Sequence, residues 1–552
     1  MRRCLLLMLL CGLSAFAEQV TITVLATTDL HGNIYPVDYF TDRPAARGLA
    51  KVATLIRAEE AENPNHLLID CGDTIQGTPL EYVYQEAVTT GRPTLAADPM
   101  MLAMNRLGYA AMTVGNHEYN YGLKNLEKAR SDAKFPWLSA NTVVAPGGRE
   151  RPYDGYVVKM VAGVKVAIVG ITTPAVPTWE KPENMGSYRF LSPVPEVRKA
   201  VEELRAKERP DLILVASHSG LGNSEENVVD RLALDVPGID AIVFGHTHQE
   251  LASATIDGVL LTQPKNWGMS LARMDFTLER SAGEQWRLTG KRSRLIPVTA
   301  ATEPAADILA IGRPYHEMAE RYLDQPVATS ARELDGTLGR TEDTPLVDAI
   351  HQVQLYYSHA DVSFTSLFNT RARVPQGRVT VRQIAALYAY DNELYTIEGT
   401  GEMVKDALEN SARYFLTCTG ARCSEAPLVN SKVMGFNFDM AEGVDYEIDL
   451  TQPEGSRIRN LHWHGKPLAP DQKLRIAVNN YRAAGSAGYS MFRGAKIVWQ
   501  SHEEIRDLMV RYYGERGALP EKAVGNWRVV PDDARRELER DARAVGGRPQ
   551  LR

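Results

Sequence analysis

At 552 residues and 44% hydrophobic, the chain is too long for one ordinary core and too apolar for a disordered polymer, so two or more globular domains are expected. Its formal charge of −7 argues against a nucleic-acid polymer as partner, because phosphate backbones are held by clustered Lys and Arg. A mononucleotide stays open, since metal can hold its phosphate in place of basic side chains.

Residues 1–17 read Arg2-Arg3, an apolar run and then Ala15-Phe16-Ala17, the pattern of a signal peptide with a small-residue cleavage site. Leu10 before Cys11 is bulkier than a lipid-modified cysteine wants. Removing the segment takes two arginines and no acids, so the formal charge becomes −9. No later run reaches the ~20 apolar residues of a membrane helix. The mature chain is therefore expected to be exported, periplasmic or secreted, and soluble. Of the remaining cysteines, Cys418 and Cys423 could close a small loop in an oxidising compartment, and Cys71 lies in an apolar run as a buried thiol.

From residue 18 onward, short β-branched or apolar runs alternate with helix-like stretches, and the runs end alike. "TITVLATTDLHGN" places Asp29 and His31 just after a strand, and "NHLLIDCGDTIQG" does so for Asp73. Between them, "GLAKVATLIRAEEAE" carries apolar residues at helical spacing. "MTVGNHEYNYGL" delivers Asn116, His117 and Glu118, "DLILVASHSG" delivers His218, and "DAIVFGHTHQ" delivers His246 and His248. An alternating α/β chain brings such loops to one sheet edge, the usual place for ligands. Each motif alone is ordinary turn or surface chemistry; the ordered conjunction of five is what points to function.

Imidazole and carboxylate without thiolate suit two divalent metal ions such as Zn, Mn or Fe rather than a Cys-rich or all-oxygen site. Seven ligands exceed one tetrahedral ion and match two ions sharing a carboxylate, the arrangement used in phosphoester hydrolysis.

The series "DLHGN", "CGDTIQG", "GNHEYNYG", "SHSG" and "GHTH" resembles the calcineurin-like metallophosphoesterases, within them the exported 5′-nucleotidase branch. "NFDMAEGVDYEIDLTQP" and "NNYRAAGSAGY" are closer to the bifunctional 2′,3′-cyclic-nucleotide 2′-phosphodiesterase/3′-nucleotidases. The resemblance covers nearly the whole mature chain. It implies an N-terminal four-layer α/β metallophosphoesterase sandwich over 18–302 and a C-terminal α/β nucleotidase domain over 336–525, while the helix-forming composition of 303–335, broken by Gly-Arg-Pro, marks a linker helix between them. The charged tail over 526–552 is expected to be a solvated helix with a frayed end.

By that resemblance Asp29, His31 and His248 hold one metal, Asn116, His218 and His246 the other, and Asp73 bridges. His117 faces the phosphoryl group as an oxyanion stabiliser or leaving-group acid, and Glu118 holds the loop. In the 5′-nucleotidases an aspartate partners the histidine, where this chain has Asn120. Phe436 and Tyr481 would sandwich the base, against the alternative that both are core aromatics. An aspartate that binds ribose hydroxyls in the 5′-nucleotidases is matched here by Ala487. Both departures suit a substrate whose ribose hydroxyls are esterified to phosphate. The expected partner is a small-molecule nucleotide, with no nucleic-acid polymer and no membrane, and the chain is expected to be a monomer. The competing readings are a broad 5′-nucleotidase or UDP-sugar hydrolase, a thiosulfonate hydrolase of the same superfamily, and a secreted binding module with structural metals.

Overall fold

The computed structural model describes residues 18–546 apart from 93–94, 146–149, 223, 225, 282–283, 389, 391 and 426. The expected signal peptide, 1–17, and the end of the tail from 547 lie outside the described residues. Chain contacts divide the protein into two units. The first runs to Asp38 and from Arg43 to Ala319, and the second holds Tyr39–Asp42 and everything from Glu320.

Two six-stranded sheets build the first unit. One orders Glu18–Thr27, His66–Asp70, Ala111–Thr113 and Trp137–Leu138 as parallel neighbours, with the antiparallel strands Ser270–Arg280 and Arg287–Pro297 on the far side of Glu18–Thr27. The other runs Val164–Thr172, Leu212–His218, Ala241–Phe244 and Val259–Gln263 in parallel, edged by antiparallel strands at both ends. Strand alternation sets the layers. Val166 and Ile168 join Val24, Ala26 and Ile69 of the first sheet in one core, while Ala167, Val169 and Ile171 meet the helices Pro193–Lys207 and Val229–Asp235 in another. On the first sheet, helix Leu49–Glu62 packs against Ser270–Arg280. Burial on both faces explains why these strands read as continuous apolar runs rather than alternating ones.

In the second unit a five-stranded sheet places Val362–Ser366, Lys473–Asn479 and Glu393–Thr400 at its centre, and a four-stranded sheet lies beside it in the same core. Two expectations about this half need correction. Helix Ala306–Leu323 runs through Pro314 without a break, and strand Pro326–Ser330 already pairs with Gly377–Thr380. Tyr35 packs along the helix on both sides of the proline: its hydroxyl donates to the Leu309 carbonyl at 2.7 Å, and its ring stacks on His316 at 4.2 Å. The expected terminal helix is present, but it is packed rather than solvated. Strand Trp527–Val530 pairs with Asp445–Asp449, and helix Asp532–Gly546 buries Ala534 and Leu538 in the core. Cys418 and Cys423 form a disulfide, and Cys71 is a free buried thiol.

Candidate metal centre and base platform

All seven candidate ligands, and His117, come from the C-terminal ends of parallel strands. Three loops of the first sheet carry Asp29 and His31, Asp73, and Asn116 with His117; His218 ends one strand of the second sheet, and His246 and His248 follow another. The described residues hold three clusters whose donor atoms lie within 4.8 Å of one another: Asp29 with His31 and His248, His31 with Asp73 and His117, and Asp73 with His218 and His246. Asp73 belongs to two of them. Its Oδ2 lies 2.9 Å from His218 Nε2 and 3.9 Å from His31 Nε2, and its Oδ1 accepts the His117 amide at 2.8 Å. Asn116 Oδ1 is 3.0 Å from His218 Nε2, and His248 Nε2 is 3.5 Å from Asp29 Oδ1.

The loops are strained and tightly braced. Asp29, His31, Asp73, His246 and His248 have φ between 46° and 73°. Non-glycine residues rarely adopt this left-handed region, and each such departure costs of order 1–3 kcal/mol. Five in one cluster mark a place where the fold spends stability on orientation. Gly115 and Gly245 are needed for space, since a Cβ at Gly115 would sit 2.2 Å from Asp73 Oδ1 and one at Gly245 1.9 Å from Thr28 Oγ1. Glu118 is fully buried and accepts the amides of Asp73 at 2.9 Å, Thr74 at 2.5 Å and Gly115 at 2.6 Å, so it ties two ligand loops together. Burial pushes its carboxyl up to about 7, opposed by those amides.

The protonation pattern shows a centre that wants cations. His31 Nδ1 donates to the Gln76 carbonyl and His218 Nδ1 to the Cys71 carbonyl at 2.7 Å, which turns the Nε2 atoms of both inward. Two ring nitrogens, His31 Nε2 and His248 Nε2, then meet at 3.1 Å. Burial alone would push Asp29 and Asp73 up. Charge and hydrogen bonds from the histidines instead hold Asp29 at about 2 and Asp73 well below the usual carboxylate range. Against its own burial, His218 is pushed up to about 10 by Asp73, whereas burial holds His31 down at about 4.

His117 Nδ1 lies 2.6 Å from Asn120 Oδ1, and Asn120 Nδ2 donates to Glu180 Oε2 at 2.7 Å. His246 Nε2 pairs with Glu226 Oε1 at 2.8 Å. Neither Glu180 nor Glu226 stood out in the sequence, since Glu226 is the second of two adjacent glutamates, Glu180 follows a short helix, and neither comes directly after a strand.

Phe436 lies in the turn Gly435–Asn437 and is half-buried; Tyr481, in the short helix Asn480–Ala483, is 48% exposed. Neither is a fully buried core aromatic. Both attach to Arg482, whose Nη2 donates to the Phe436 carbonyl at 2.8 Å and whose guanidinium lies 5.4 Å from the Tyr481 ring centroid. Arg482 itself is anchored by both oxygens of Asp439 at 2.7 and 2.8 Å, with each side chain only 3% exposed. Asn437 and Ala487 line a cavity of about 230 Å³ together with Asn410, Arg413, Lys432, Val433 and Gly488.

Comparison with known proteins assigns residues 22–250 to the calcineurin-like phosphoesterases and 326–494 to the 5′-nucleotidase C-terminal domain. The chain is 31% identical to the 2′,3′-cyclic-nucleotide 2′-phosphodiesterase/3′-nucleotidase of Yersinia enterocolitica, over 95% of this chain and 90% of that one. The chain belongs to the calcineurin-like phosphoesterases that carry a 5′-nucleotidase C-terminal domain. It is also 31% identical to the trifunctional nucleotide phosphoesterase YfkN of Bacillus subtilis, over 93% of this chain but only 39% of that longer protein. In fold it matches a 5′-nucleotidase-like protein of Staphylococcus aureus solved with α-ketoglutarate, with a TM-score of 0.68 and 24% identity over 92% of this chain and all of that one.

Membership in the phosphoesterases implies divalent metal ions, and this donor set fits them. Inward-turned ring nitrogens, two carboxylates held ionised in a buried place and an amide oxygen converge with no lysine or arginine among them. A divalent cation among these donors would balance the charge of the two buried carboxylates. Among the described residues, no helix of the phosphoesterase is long and apolar enough to cross a membrane.

Proposed function

We propose that this phosphoesterase hydrolyses 2′,3′-cyclic nucleotides to 3′-nucleotides and these to nucleoside and phosphate, using two divalent ions, in an exported scavenging role. The observation that carries the reading is the run of three donor clusters joined through His31 and Asp73, with Asn116 Oδ1 3.0 Å from His218 Nε2 and His117 beside His31 and Asp73. Asp29, His31 and His248 would hold one ion and Asn116, His218 and His246 the other, with Asp73 shared. When bound, the ions supply Lewis-acid chemistry, lowering the pKa of a water and neutralising phosphoryl charge. In the first reaction water adds to phosphorus and the bond to O2′ breaks; in the second the bond to O3′ breaks, and each departing oxygen takes up one proton. His117 would deliver that proton or steady the phosphoryl oxygen.

The substrate choice rests on Asn120 and Ala487 and on the name of the Yersinia relative. Ala487 adopts φ 55°, which an aspartate tolerates better than an alanine does. The backbone therefore did not exclude a ribose-binding carboxylate there. Its absence suits a ribose whose vicinal oxygens carry phosphate. Export is supported by the Cys418–Cys423 disulfide.

The test is phosphate release from 2′,3′-cyclic AMP, 3′-AMP and 5′-AMP under Mn, Zn or Co, with a chelator control. Faster metal-dependent release from the first two is expected; 5′-AMP as the best substrate would replace this reading with a 5′-nucleotidase. Replacing Tyr481 with alanine removes a stacking surface that contributes about 1–3 kcal/mol per base, or about 5- to 150-fold in kcat/KM for nucleotides. Turnover of bis(p-nitrophenyl) phosphate, which has no base, should stay near the wild-type rate. Equal losses on both substrates would remove the stacking role.

A further inference from the structure

Asn120 raises a problem that its position does not solve. An amide can turn either its oxygen or its NH2 towards His117, and the two faces dictate opposite tautomers of the ring. If the oxygen faces Nδ1, that nitrogen keeps its proton and Nε2 can gain or lose one. If the NH2 faces Nδ1, the ring must accept there, Nε2 carries the only proton, and the imidazolium form is blocked.

The structure settles the choice through Glu180. This side chain is 3% exposed, and its two oxygens accept three N–H groups: Oε2 takes Asn120 Nδ2 at 2.7 Å, and Oε1 takes Asn184 Nδ2 at 2.8 Å and the Lys181 amide at 2.7 Å. Asn184 also donates to the Asn120 backbone carbonyl at 2.9 Å, so the segment Glu180–Asn184 grips the turn that carries Asn120. A carboxylate has no donor to offer, so the Asn120 NH2 must face Glu180 and its oxygen must face His117, at 2.6 Å. We propose that Glu180 is a positioning residue for the phosphoesterase reaction: by turning the Asn120 oxygen towards Nδ1 of His117 it fixes the orientation and tautomer of that ring, with Nε2 left to face the reacting phosphoester. The carboxylate that a catalytic histidine usually has beside it is here one residue further out, with an amide relaying its orientation. The inference rests on the role given to His117 above, and it concerns residues outside the metal ligand set.

Glu180→Gln makes the test sharp. If the glutamine oxygen satisfies Asn184 and the Lys181 amide, its NH2 meets the NH2 of Asn120, and the Asn120 amide must flip. His117 then carries its proton on Nε2 in an otherwise unchanged site, and a histidine in the wrong tautomer loses its role without losing its place. The expected result is a kcat about 10- to 100-fold lower, the usual scale for an outer orienting partner, at unchanged KM, metal content and Tm. Adding Asn120→Asp should restore kcat, because an aspartate accepts from His117 Nδ1 and from the introduced glutamine's NH2 at once and needs no orienting. A merely structural carboxylate predicts no such rescue.

Rates on bis(p-nitrophenyl) phosphate are measured beside those on 2′,3′-cyclic AMP. Wild-type turnover of the aryl ester alone would defeat the nucleotide reading while leaving Glu180 testable. E180Q at the wild-type kcat, or E180Q with N120D no faster than E180Q, overturns the proposal. Should E180Q fail to fold, E180A with and without N120D asks the same question: activity only in the presence of N120D supports the relay, and equal activity sinks it.

Discussion

Asp73→Asn is expected to abolish hydrolysis of every phosphoester, nucleotide or aryl, with kcat falling about 10³-fold or more, the worth of several kcal/mol of charge stabilisation at 1.36 kcal/mol per decade. The reason is topological as much as chemical. Asp73 is the one side chain shared by the His31 and His218 clusters, and its second oxygen also takes the His117 amide. An isosteric amide keeps the loop but removes the negative charge that faces His218 and His31. Metal counted per chain should drop from two to one or none, and this separates a lost bridge from a lost fold, for which the unfolding transition of the metal-free protein is the control. Retained hydrolysis with two bound ions would refute the shared role.

Much of this centre could be read from the sequence because its physics is local. A ligand that follows a parallel strand is announced by the strand, but the five loops leave the edges of two sheets rather than the single edge expected. The structure does bring Asp29, His31, Asp73, Asn116, His117, His218, His246 and His248 together. The strain at five of them could not be read, because left-handed φ at Asp or His has no sequence mark when the neighbouring loops impose it. Glu118 could be read as a loop holder because it sits within a motif. Glu180 and Glu226 could not, because their partners are 60 and 20 residues away and their own segments have no periodicity.

The linker helix lies where it was expected, since the division between the units falls at Ala319/Glu320, but its continuity and its end could not be read. Gly312-Arg313-Pro314 is a sound breaker signal by propensity, yet the helix runs through it, with Tyr35 packed on both sides of the proline. The charged residues of helix Asp532–Gly546 conceal Ala534 and Leu538, whose four-residue spacing is enough to bury one stripe. The crossing of Tyr39–Asp42 into the second unit leaves no compositional trace at all.

Arg482→Met should be the most damaging change in the second unit. The Arg482–Asp439 pair is almost wholly buried and bidentate, and removing one partner strands the other charge at a cost of roughly 3–5 kcal/mol. At about 2–4 °C per kcal/mol for a unit of this size, the loss should appear in calorimetry as a lowered transition of the second unit, with the first unit's transition in place. Asp439→Leu added to Arg482→Met should recover part of it, since it is the stranded carboxylate rather than the missing contact that costs most. Nucleotide KM should not recover with it. The guanidinium also holds the Phe436 carbonyl and underlies the Tyr481 ring, and neither the methionine nor the leucine can donate to that carbonyl. Stability regained without nucleotide affinity would thus assign Arg482 two separable duties. Joint recovery would mean that the platform needs only a folded neighbourhood, and no change on Arg482→Met alone would show that the buried pair is dispensable.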